Sequence, residues 1–128
     1  MVERSIFEVV GGMETFHLLA AAFYRRVEAD PLLRPLYPES LEEAAEKLAL
    51  FLAQYFGGPA EYNARRGHPR LRMRHIPFRI GQAERDAWLT HMLAALDEVG
   101  IEEPIRSPMR QYFEATSTFL INARQEDA

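Results

Sequence analysis

Apolar residues in this chain recur at intervals of three and four, and that spacing limits the fold more than any other feature. Phe16, Leu19, Ala20, Phe23, Tyr24 and Val27 form one stripe, and Leu41, Ala44, Ala45, Leu48, Phe51, Leu52, Tyr55 and Phe56 form a second. Trp88, His91, Met92, Ala95, Leu96 and Val99 form a third, and Met109, Tyr112, Phe113, Thr116, Phe119, Leu120 and Ala123 a fourth. A period of about 3.6 gathers each set on one face of a helix, whereas a strand would need strict alternation. No internal repeat or low-complexity stretch competes with this pattern. The expected class is all α, with four substantial helices and short connectors.

Boundary signals agree with the stripes. Ser5 and Glu8 have the spacing of a capping box for a brief first helix, which Gly11 and Gly12 end. Asp30-Pro31 stops the next helix, and Pro31, Pro35 and Pro38 keep the following stretch short and bent. Tyr37 is thereby presented from a constrained turn. Ser40 and Glu43 suggest a second capping box, and Gly57-Gly58-Pro59 breaks the helix they open. A long helix resumes near Gln82 and ends at Gly100, and Ser107-Pro108 has the form of a final helix start.

With 128 residues, the expected organisation is a single domain over 1–128 with a core large enough to need no covalent staple. Cysteine is absent, which excludes disulfides, thiolate metal sites, iron–sulfur clusters, covalent haem attachment and a thiol nucleophile. The opening MVERSIFEVVGG lacks the basic start and small-residue cleavage site of an export signal. The longest apolar run, Phe16 to Tyr24, is well short of the roughly 20 residues of a membrane span. A cytoplasmic protein without a membrane span is expected.

One segment stands apart. RRGHPRLRMRHIPFR, residues 65–79, holds six arginines and two histidines, with no acidic residue between Glu61 and Glu84. The whole chain carries −4, so subtracting this +6 leaves −10 elsewhere. A general nucleic-acid binder spreads basic charge over a whole face to neutralise many phosphates. A single short patch in an acidic surround suits a small anion or the carboxylates of a partner better, and Tyr62 and Phe78 give little support for a base-stacking platform.

His75 lies inside this segment, where Gly67, Pro69 and Pro77 allow only a brief helical face shared with Leu71. On residues alone it is either a metal or haem ligand or an ordinary histidine on a solvated loop. A haem carries an iron and two carboxylates, so an imidazole among guanidinium groups matches both ends of one ligand. His91 is the rival, although a histidine on an apolar face is more often a hydrogen-bonded core residue. His17 and His68 pair with no other histidine at zinc-site spacing. Tyr24, Tyr37 and Trp88 bring polar hydrogens to the apolar sides of their elements, where they either bond the backbone and one another or surround a polar guest. Nucleotide-binding, zinc-protease and serine-hydrolase motifs are absent.

In combination, FEVVGG, FYRRV, LYPE, FLAQYFGGP, RGHPRLRMRHIPF and ERDAWL resemble the group II truncated haemoglobins, the O type common in actinobacteria. The resemblance covers nearly the whole chain, with the last helix matching only as an amphipathic pattern. It implies a truncated globin: a two-over-two helical sandwich around haem b, with His75 as the proximal iron ligand. It also implies that Arg72 and Arg74, with Lys47 and Tyr62, hold the haem propionates. The distal pocket falls on Tyr24, Tyr37 and Trp88, with Leu48 and Phe51 as apolar lining and His91 in the core. Ala44 occupies the position where many haemoglobins place a distal histidine, so that gate would be missing. The function implied is reversible binding of dioxygen, carbon monoxide and nitric oxide with slow oxygen release. Redox chemistry on nitric oxide or peroxide with an external reductase, or oxygen sensing, fits this better than bulk transport. The competing expectation is a haem-free helical adaptor that binds an anionic partner through residues 65–79. Either protein is compatible with a homodimer.

Overall fold

The computed structural model describes residues 4–123, which form seven α-helices, one short 3-10 turn and no strand. The helices are α1 (Ile6–Val10), α2 (Met13–Glu28), α3 (Leu41–Tyr55), α4 (Glu61–Arg66), α5 (Leu71–His75), α6 (Gln82–Glu98) and α7 (Arg106–Phe119), with the 3-10 turn Arg34–Leu36 between α2 and α3. Helix α2 packs on both α3 and α6, and α6 packs on α7, so two helix pairs meet through α2 and α6. This is the expected two-over-two arrangement. Helices α4 and α5 are the short pieces that the proline and glycine fences require. No described helix is long and apolar enough to cross a membrane.

The core lies between the pairs. All six residues of the α2 stripe are buried, and they meet Leu52 and Ala53 of α3, Met92, Ala95 and Leu96 of α6, and Met109 and Phe113 of α7. Ring stacking extends the core to α1, where Phe7 lies 5.9 Å from Phe16, which in turn lies 6.0 Å from Phe56. That approach depends on Gly58, because a Cβ there would sit 2.6 Å from the Phe7 ring. The Phe7 N–H also donates to Phe56 O at 2.9 Å, fastening α1 to the end of α3.

Two local expectations for α3 need correction. Ser5 caps α1, its Oγ accepting from the Glu8 N–H at 3.2 Å, but Ser40 makes no equivalent side-chain bond. Glu43 instead receives Lys47 at 3.3 Å and Arg66 at 3.1 Å, so its carboxylate is taken by cations rather than by the helix start. The stripe on α3 is also rotated. Ala49, Leu50, Leu52, Ala53 and Phe56 are buried, whereas Tyr55 is exposed and stacks on Tyr112 at 3.9 Å, and Leu48 and Phe51 are half-buried at the edge of the core, where they also line a cavity.

Helix α7 differs at both ends. It begins at Arg106 after Ile105, and the Ser107 hydroxyl bonds Glu103 in place of capping the helix. It stops at Phe119, so Phe119 lies exposed at the last turn, and Ser117 takes the buried place on the inner face.

Candidate functional site

A cavity of about 280 Å³ opens between α3, α5, α6 and α7. Its wall is mostly apolar, with Leu33, Leu36, Leu48, Phe51, Leu52 and Phe113 among its members, and its polar members come from separate elements. His75 enters from α5, Tyr24 from α2, Tyr37 from just after the 3-10 turn, and Trp88 from α6. Residues 13 to 64 positions apart in sequence thus meet around one space.

His75 has a defined ring orientation. Its Nδ1 lies 2.6 Å from Leu71 O, a carbonyl that can only accept, so Nδ1 carries the proton of the neutral ring. Nε2 is then the unprotonated nitrogen, with no partner among the described residues, on a residue that lines the cavity. The one helical turn between Leu71 and His75 provides this bond. A metal-binding imidazole has this arrangement, with the far nitrogen fixed by an acceptor and the near lone pair free.

Tyr24, Tyr37 and Trp88 form one aromatic group. The tyrosine rings meet edge to face at 5.4 Å and 88°, and Phe23 supports both Tyr24 at 5.0 Å and Trp88 at 5.3 Å. Burial pushes the Tyr37 hydroxyl pKa up to about 12, with the nearby Trp88 indole N–H countering part of the rise. Burial, followed by the proximity of Tyr37, raises Tyr24 still further. Both phenols therefore keep their protons at neutral pH. The Trp88 indole N–H is directed at the Tyr37 hydroxyl, and both hydroxyls and the indole border the cavity, where their hydrogens are within reach of a guest. They are donors available to a guest.

Two arrangements that sequence reasoning missed hold these groups in place. Arg34 clamps the turn bearing Tyr37, donating to Pro38 O at 2.9 Å and Glu39 O at 2.6 Å while pairing with Glu28 at 2.9 Å. Asn122, just beyond α7, fastens the segment after His75. Its Nδ2 donates to Phe78 O at 2.8 Å and His75 O at 3.2 Å, and its Oδ1 accepts from the Ile80 N–H at 2.8 Å. The signal was an asparagine after the last helix, which local pattern cannot connect to a loop 42 residues earlier. Asn122→Ala should cost about 1 kcal/mol and speed hydrogen exchange at the Ile80 amide. Unchanged protection at Ile80 would remove the clasp from the account.

The other expected site residues divide between the cavity wall and its surroundings. Leu48 and Phe51 line the cavity, whereas Ala44, Lys47, Tyr62, Arg72 and Arg74 are not on its wall. Arg74 donates to Tyr62 Oη at 3.2 Å and to Arg66 O at 3.0 Å, tying α5 to α4. Arg72 sits over the Phe119 ring at 5.4 Å, and Lys47 pairs with Glu43. The cavity instead meets Glu84 and Arg85 at the start of α6. His91 is half-buried and donates to Asp30 at 2.7 Å, a bond that holds the Asp30 carboxyl below the usual carboxylate range. This joins α6 to the end of α2 and leaves His91 off the cavity wall.

The sequence pattern of bacterial-like globins matches residues 5–122. The chain belongs to the bacterial-like globin family. Among its relatives is the group 2 truncated hemoglobin YjbI of Bacillus subtilis, 42% identical over 91% of this chain and 88% of that protein. Among solved structures, the hemoglobin of Chloroflexus aurantiacus superposes with a TM-score of 0.93 at 57% identity, covering 94% of this globin and 100% of that chain. The group II truncated hemoglobin of Bacillus anthracis gives 0.95 at 36% identity, covering 98% and 96%. Membership implies a haem cofactor, and the cavity fits one. It offers an apolar enclosure, one imidazole with a free nitrogen on its wall, and neutral hydrogen-bond donors.

Proposed function

We propose that this globin, as a single domain over residues 1–128, holds haem b through His75 and binds dioxygen reversibly with slow release. The observation that carries the reading is the His75 ring, whose Nδ1 is tied to Leu71 O while Nε2 remains free on the wall of a cavity that also receives the donors of Tyr24, Tyr37 and Trp88. Bound haem supplies an iron that takes dioxygen, carbon monoxide or nitric oxide. His75 provides the imidazole lone pair, and its bond to Leu71 O fixes the ring plane and increases its basicity. Trp88 and Tyr37 donate to the guest, and Tyr24 sets the Tyr37 ring by edge-on contact. Leu48 and Phe51 exclude water, which strengthens each donor. Ala44 stands where many haemoglobins place a distal histidine, so no imidazole contributes there and the donors are Trp88 and Tyr37.

Donated hydrogen bonds favour a guest that gathers negative charge, so dioxygen gains more than carbon monoxide. At about 1 kcal/mol per bond, Trp88→Phe should speed oxygen release roughly fivefold, and Tyr37→Phe somewhat less. Tyr24→Phe should change release through Tyr37 and not by direct loss of a donor. Stopped-flow oxygen dissociation checks all three, and fast release in the parent with no effect of Trp88→Phe would remove the pocket assignment. Slow release supports redox chemistry on nitric oxide or peroxide with an external reductase, or sensing, over bulk delivery. A haem-free adaptor would leave the cavity and its donors without a purpose, and a Soret band in the purified protein rejects that alternative.

Arg72, Arg74, Lys47 and Tyr62 hold the propionates on this reading, with Arg74 also stiffening the join between α4 and α5. Replacing Arg72 and Arg74 with glutamine should speed haem transfer to an apoprotein acceptor several-fold while leaving the helical circular dichroism in place. Unchanged transfer would release both arginines from the cofactor.

A further inference from the structure

Helix α5 has two faces with different contents. Leu71 and His75, four apart, line the cavity, while Arg72 and Ile76 share an outer face with Met73 beside them. This outer face is apolar and open. Met73 is 60% exposed, Ile76 64% and Phe119 53%, with Phe119 joined to the group by the Arg72 guanidinium above its ring, while Phe78, 41% exposed, sits at the edge and also lines the cavity. Half of the eight large apolar side chains exposed among the described residues thus gather around one five-residue helix. Scattered singly, such residues need no explanation, but a cluster rimmed by charge marks a contact surface.

The rim is of one sign. Arg65 and Arg66 are neutralised by Glu46, Glu61 and Glu43. Arg70 and Arg79 are exposed and have no carboxylate partner among the described residues, and no acidic side chain occurs from Tyr62 to Ala83. Elsewhere the surface is acidic enough to bring the whole chain to −4. A partner that docks here must present carboxylates around an apolar centre, and the net negative charge of the rest of the chain disfavours docking elsewhere.

We propose that the outer face of α5 docks an acidic electron-carrier protein, of the iron–sulfur or flavin class, that reduces the haem iron. This rests on the haem-binding reading above. The location favours an electron donor over another acidic partner, because Met73 and Ile76 flank His75 in sequence and the path from this surface to the cavity is one helix thick. The chain has no cysteine and so no thiol or cluster of its own to supply electrons. In the step itself one electron leaves the reduced carrier and converts ferric to ferrous iron, with no atom transferred. Such contacts are small, steered by charge and sensitive to salt.

The test uses the haem-loaded protein and a reduced or oxidised acidic [2Fe–2S] ferredoxin as the probe. Calorimetric titration at low salt should show binding that Arg70→Glu with Arg79→Glu weakens by about tenfold or more, the gap closing at high salt as charges are screened. Ile76→Ser should weaken binding without changing its salt dependence. Ferredoxin-driven reduction should slow in parallel, while reduction by dithionite and the Soret spectrum stay as in the parent. Equal affinity of parent and double variant overturns the docking surface, as does tighter binding of a short DNA duplex or anionic vesicles than of ferredoxin. A chain that takes up no haem overturns the haem reading itself, and this inference with it.

Discussion

Replacing His75 with glycine should release haem, with transfer to an apoprotein acceptor accelerated by more than about 100-fold. Loss of an outer partner of a metal ligand already costs roughly 10–100-fold in affinity, and this change removes the ligand itself. No other imidazole can substitute. His91 is turned toward Asp30 at 2.7 Å, His68 Nδ1 accepts the Arg70 N–H at 3.1 Å in an exposed loop, His17 is exposed on α2, and none of the three lines the cavity. Glycine leaves room for a free imidazole, so adding imidazole should restore a histidine-like spectrum. If the variant instead kept the parent spectrum and His91→Ala lost it, the ligand would be His91.

Phe113→Ala should be the most damaging of the core changes, at about 3–5 kcal/mol. The ring is fully buried and lies between α3, α6 and α7, with Phe56 at 6.2 Å, Trp88 at 5.9 Å and Tyr112 at 5.6 Å. It also forms part of the cavity wall, so the space left by its removal merges with the ligand space. Stability and ligand chemistry should therefore fail together. Chemical denaturation should show the loss, and Trp88 fluorescence in the folded variant should report a less fixed indole. A loss below about 1 kcal/mol would mean that neighbouring rings close over the gap. Phe113→Leu keeps most of the volume and should retain most of the stability.

The helices were legible because each is a local pattern with a period. The α2 stripe was read in full, since α2 is covered on the side that its sequence marks as apolar. Helix α3 was misread by part of a turn because its apolar arc is wide enough to serve two purposes. Ala49 and Ala53 face the core while Leu48 and Phe51 face the cavity, and a hydrophobic pattern does not separate packing against protein from lining a space. The end of α7 was missed because Phe119 is apolar and yet exposed, carrying the Arg72 guanidinium instead of a core contact.

The site was less legible than the helices. His75, Tyr24, Tyr37 and Trp88 were singled out by residue type and setting, and the structure brings them to one cavity. Arg74 was expected near the cofactor from the family resemblance, and its fork also satisfies two carbonyls and the Tyr62 hydroxyl. Asn122 and Arg34 were not found at all. Both act on backbone atoms of distant or irregular segments, and backbone partners leave no trace in side-chain patterns.

The position of Asn122 in the chain has a consequence for biosynthesis. A ribosome releases α1 to α6 first, and these contain His75, both tyrosines and Trp88. The wall formed by Tyr112, Phe113, Thr116 and Leu120 follows, and Asn122 fastens the His75 segment only after that. A nascent chain therefore displays its imidazole and its donors well before it can enclose anything. Tight capture of cofactor waits for the emergence of the last helix, and until then premature occupants are free to leave.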